Sequence, residues 1–153
     1  MFKNPRLKNI LLALAVAVFG FVLLNLTFLL NYLVFQFIDL IVPHSSMPAN
    51  RWFPLIRHAL FLVIIGLISW PIFRSKLGVL FKAIYITVPV AIFLVTIGIF
   101  LYEWPIVPYL VGGVFTLVVL FCFYRTKQPW LYYYSVILVA LTLMIFTLLG
   151  GEI

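Results

Sequence analysis

Residues Ile10 to Val42 read ILLALAVAVFGFVLLNLTFLLNYLVFQFIDLIV, an apolar run interrupted by a single acidic residue, Asp39. A helix needs about 20 apolar residues to cross the hydrocarbon of a bilayer, which is about 30 Å thick. This run exceeds that, and a straight helix of its extent would be about 50 Å long at 1.5 Å per residue. Either the helix tilts strongly or its last part, roughly 32–42, bends along an interface. Pro43 ends it, because the ring cannot continue the backbone hydrogen-bond ladder.

The rest of the chain repeats the pattern. Apolar segments follow at about 54–73, 77–102, 106–124 and 129–150. Of the 153 residues 67% are hydrophobic and 8% charged, against about a quarter charged in an ordinary soluble domain. So few charges cannot cover the apolar surface of a water-soluble fold. The expected fold is an all-α integral membrane protein, a single helical domain over 1–153 with five transmembrane helices at about 10–42, 54–73, 77–102, 106–124 and 129–150. The start, MFKNPRLKN, resembles the basic region of a signal peptide, but the apolar stretch behind it is too long and carries no small-x-small cleavage site. It reads as an uncleaved anchor that is also the first helix.

Orientation follows from the basic residues. Alternating five helices from a cytoplasmic N-terminus places Lys3, Arg6, Lys8, Arg74, Lys76, Lys82, Arg125 and Lys127 inside, and only Arg51 and Arg57 outside. That asymmetry matches the positive-inside rule, with the C-terminus outside. The net charge of +7 is therefore expected from topology, not from nucleic-acid binding. Trp52, Tyr102, Trp104 and Tyr109 mark one interface, and Trp70, Tyr124, Trp130 and Tyr132 to Tyr134 the other. Pro89 falls inside the third helix, removes the donor for the Tyr85 carbonyl and predicts a local kink. Lys82 lies near enough to that helix's start to snorkel to the inner surface.

Two groups of polar residues stand out. At 100° per residue, Asn25, Tyr32, Gln36 and Asp39 lie within about 60° of one another on the first helix, while Asn31 points elsewhere. Polar groups in hydrocarbon are costly and face a bundle or a wet cavity, so this stripe is expected to hydrogen-bond neighbouring helices or to line a cavity. Lower on the same helix, Ala13, Ala17 and Gly20 form a small-residue face where another helix can approach. The second group is Asp39, His44, Arg51, Arg57, His58 and Glu103, all at the outer side. Two histidines and two carboxylates are chemically able to bind a metal or move protons, but they lack metal-motif spacing, and loops are where polar residues must go in such a chain. Asp39 is expected to be ionised and paired with an arginine or histidine of the 43–58 segment, since a lone carboxylate at that depth is disfavoured.

No HExxH, GxSxG or glycine-rich phosphate loop is present, and Cys122 is the one cysteine, so no intrachain disulfide, CxxC or zinc motif can form. Gly112 and Gly113 follow a proline-rich turn and suit close helix packing. No cofactor, metal site or catalytic residue is expected. The reading that fits best is a multi-pass cell-membrane protein in contact with the lipid bilayer, an accessory or structural subunit that packs with partner membrane proteins or its own copies. The alternatives are a small oligomeric transporter or channel using the stripe of the first helix, and an outer-leaflet enzyme built around Asp39, His44, Arg57 and His58.

Overall fold

A computed structural model describes residues 5–41, 52–104 and 106–149. They form five helices: α1 (Pro5–Ile41), α2 (Trp52–Arg74), α3 (Val79–Phe100), α4 (Val107–Arg125) and α5 (Trp130–Leu148). No strand occurs among the described residues. Four of the helices contain a segment long and apolar enough to cross a membrane: Pro5–Phe37 of α1, and α3, α4 and α5. The apolar part of α2, His58–Arg74, is shorter.

The helix ends lie within a few residues of those expected, except that α1 begins at Pro5, not near Ile10. Proline is favoured at a first helical position because its missing N–H has no partner there anyway. The turn carrying Arg6 and Lys8 is thus helical, and α1 runs 37 residues without a break to Ile41. At 1.5 Å per residue that is about 55 Å, well beyond a hydrocarbon core. Pro89 is accommodated inside α3, which continues through it.

The bundle is organised around α3, which packs against all four other helices. Its buried residues, Ala83, Ile86, Thr87, Val88, Val90, Ala91, Ile92 and Val95, cover about two thirds of the way around the axis, a wide face for a helix that meets four others. Val16 of α1 and Leu131, Tyr132, Val136 and Val139 of α5 complete one core cluster. Phe61 and Ile65 of α2 pack with Val88 and Ile92 in a second, joined by Leu23 and Phe35 of α1. α4 has no buried residue and sits at the edge.

In lipid, apolar burial supplies little driving force, so close packing and interhelical hydrogen bonds carry the association. Both are visible. Ser135 of α5 is fully buried and its hydroxyl lies 2.7 Å from the Ala83 carbonyl of α3 and 2.9 Å from the Leu131 carbonyl of its own helix. Gly20 of α1 faces Thr87 of α3 so closely that an added Cβ would lie 2.9 Å from the Thr87 methyl. The Ser69 and Tyr85 hydroxyls, 3.0 Å apart, join α2 to α3.

At the end expected inside, Lys82 does more than reach for the surface. Its ammonium donates to the Phe73 carbonyl at 2.8 Å, satisfying an orphan acceptor at the C-terminus of α2, where a cation is also favoured by the helix dipole. The Arg74 guanidinium lies 4.2 Å from the Trp70 ring centre. Between α4 and α5, Gln128 N–H donates to the Phe123 carbonyl and Lys127 N–H to that of Tyr124, which closes α4 with a left-handed residue, Lys127, at φ 50°. Of the aromatic belt, Tyr102, Trp104, Tyr109, Trp70, Tyr124 and Trp130 are exposed. Tyr132 is not: at 8% exposure it belongs to the core against Phe123.

Candidate functional site

α1 presents two unlike faces. Its inward seam is Val16, Gly20, Leu23 and Thr27, with Asn31 and Phe35 continuing it. The spacing of three and four residues keeps these on one side of a helix. Gly20, from the expected small-residue face, is buried, and Ala13 and Ala17 beside it are half-buried. Thr27 turns its hydroxyl to the Leu23 carbonyl at 2.8 Å, so a buried polar group is satisfied within its own helix.

The polar stripe lies on the other side. Asn25, Tyr32 and Gln36 are all exposed, Tyr32 to 58%, roughly half a turn from the inward seam. Within one chain they therefore do not face the other helices. α1 is placed by the close approach of Gly20 to Thr87 and the burial of Val16, and that placement sends the stripe outward. The three residues bond only within α1: Asn25 Nδ2 donates to the Phe21 carbonyl at 2.8 Å, and Gln36 Nε2 to the Tyr32 hydroxyl at 3.0 Å. The Asn25 and Gln36 amide oxygens, one N–H on each amide and the Tyr32 proton are left without a partner among the described residues.

Asn31, set apart from the stripe by its angle, is the polar residue that turns inward. It is half-buried, and its Oδ1 is fully buried with no hydrogen-bond partner among the described residues. The signal that identifies it is its spacing from Gly20 and Thr27, eleven and four residues, which continues the seam.

The second expected group is only partly described. His44 and Arg51 lie outside the described residues, as do the side chains of Asp39 and Arg57, so the expected ion pair of Asp39 with a residue of 43–58 lies there too. The Asp39 backbone is in the last turns of α1. His58 is half-buried, its ring edge-on to Phe35 with centroids 6.2 Å apart. Glu103 is exposed in the turn that follows α3. Among the described residues no three His, Cys, Asp or Glu side chains come together.

One open cavity of about 850 Å³ lies between α3, α4 and α5, lined among others by Gly98, Gly112, Gly113, Tyr102, Thr116 and Met144. Of the two adjacent glycines, Gly112 permits close packing, since a Cβ there would lie 3.3 Å from Leu94. Gly113 has nothing within 4 Å of the same point and leaves the cavity floor open. The Thr116 and Thr147 hydroxyls bond to carbonyls of their own helices, Gly112 and Leu143, so these two wall hydroxyls are already satisfied. The exposed polar face of α1 is therefore the more distinctive surface. Comparison with protein families, with curated proteins and with solved structures finds no match.

Proposed function

We propose that the chain is a multi-pass cell-membrane protein that works as an accessory or structural subunit, packing against partner membrane proteins through the outward face of α1. The observation that carries this reading is the placement of Asn25, Tyr32 and Gln36 on the exposed side of α1, turned away from the other helices. An unsatisfied amide is costly in hydrocarbon, where Asn25 falls at about 23 Å from Ile10 along the helix axis, and a helix packed over it removes that cost; Tyr32 and Gln36 lie a few turns further on, toward the interface, and extend the same polar face.

In this reading the chain crosses the membrane five times, with its N-terminus in the cytoplasm and its C-terminus outside. The support is the distribution of basic residues, eight inside against two outside. α2 counts as a span because its 23 helical residues reach about 35 Å at 1.5 Å per residue.

The test is purification from native membranes in a mild detergent, with sizing of the complex. The expected result is a species larger than one chain that Asn25→Leu, Tyr32→Phe and Gln36→Leu together dissociate. A monomer from native membranes, unchanged by these substitutions, refutes the reading. The transporter alternative shares the polar face, but there the pathway has to run between copies, because the stripe lies outside the bundle of one chain.

A further inference from the structure

We infer that the outward face of α1 pairs with α1 of a second copy of this chain, in parallel, along the seam Val18, Val22, Asn25, Leu29, Tyr32 and Gln36. This rests on the reading that α1 is a packing surface, and it names the partner.

The spacing is the first observation. The six positions are separated by four, three, four, three and four residues, so that 18, 25 and 32, and likewise 22, 29 and 36, recur every seven residues, a repeat of 3.5 per turn. That period keeps one seam facing a partner helix along a left-handed supercoil, with side chains interlocking at a crossing of about 20°. In so apolar a chain the spacing alone would carry little. The second observation is that all six side chains are exposed, opposite the face that α3 covers. The fold thus leaves a whole seam free, and the described polar residues of the stripe all fall within it.

Hydrogen-bond complementarity selects a second copy over another partner. Copies inserted by the same charge rule share one orientation, so their α1 helices run parallel, and a two-fold axis sets each residue at the depth of its own counterpart. Asn25 then meets Asn25 and Gln36 meets Gln36. An amide carries both donors and acceptors, so each pair satisfies itself. The Asn25 oxygen and second N–H, the Gln36 oxygen and second N–H, and the Tyr32 proton supply both halves of every bond required. Polar residues at core positions of paired helices also fix register, since sliding by a turn separates them.

Disulfide scanning in native membranes tests this. The exposed Cys122 is first replaced, Cys122→Ser. Single cysteines are then introduced at 18, 22, 25, 29, 32 and 36, and at the exposed flank positions Phe19, Leu26, Leu30 and Phe37. The expected result is a covalent dimer of this chain at seam positions and not at flank positions. Asn25→Leu with Gln36→Leu is expected to weaken association roughly tenfold without loss of folded monomer. Seam cysteines that link to a different polypeptide overturn the self-pairing and leave the packing reading standing. Equal cross-linking at seam and flank, or none, overturns the self-pairing as well, and no cross-link to any protein removes the packing reading with it.

Discussion

Gly20→Ala places one methyl group into the tightest contact between α1 and α3. The new Cβ would lie 2.9 Å from the Thr87 Cγ2 and 3.1 Å from its Oγ1. Thr87 has little freedom to yield. It is 2% exposed, branched at Cβ, and its hydroxyl donates to the Ile84 carbonyl at 2.7 Å, so rotating away breaks that bond. Overpacking of this kind costs about 1–3 kcal/mol. Alanine's preference for helix over glycine returns about 0.5–1 kcal/mol. The net expectation is a loss of up to about 2.5 kcal/mol. Thr87→Ala removes both offending atoms and leaves the Thr87 Cβ position, 3.5 Å away, at an ordinary contact distance. The double variant should therefore recover most of the loss, with a coupling of about 1–2 kcal/mol in a double-mutant cycle. The assay is reversible unfolding of the protein in lipid–detergent micelles, followed for the four species of the cycle. Additive effects in the double variant, with no coupling between positions 20 and 87, refute the claim that this contact positions α1.

Three further outcomes are expected. Ser135→Ala removes the buried hydroxyl that joins α5 to the Ala83 carbonyl and should cost about 1 kcal/mol in the same unfolding assay. Lys127→Gly relieves a left-handed residue at φ 50° and should stabilise by about 1 kcal/mol, while Lys127→Val should destabilise, since a β-branched side chain suits that conformation worst. A reporter fused after Glu152 should be active outside, and reporters in the loops of Arg74–Lys76 and Arg125–Lys127 should be active in the cytoplasm; a cytoplasmic C-terminus refutes the five-span topology.

Sequence by itself determined the number of helices and, apart from the start of α1 at Pro5, their ends to within a few residues. Lipid demands that every backbone polar group be satisfied within a segment, so apolar runs of sufficient length, bounded by prolines and basic turns, have one regular solution. That is a local property and can be read locally. The direction each helix faces is not. In a chain this apolar the contrast between a buried and a lipid-facing side nearly vanishes, and steric fit decides. Gly20 against Thr87 and Ser135 against Ala83 set how α1 and α5 meet α3. Those contacts sent Asn25, Tyr32 and Gln36 outward although their polarity argued for the interior, turned Asn31 toward the bundle on the side that its spacing from Gly20 and Thr27 marks, and buried Tyr132 although its position near a helix end argued for an interfacial place. The stripe could be read as a stripe because helical spacing is fixed by backbone geometry. Its side of the bundle depended on atoms tens of residues away in α3, and only the tertiary structure brings those atoms together.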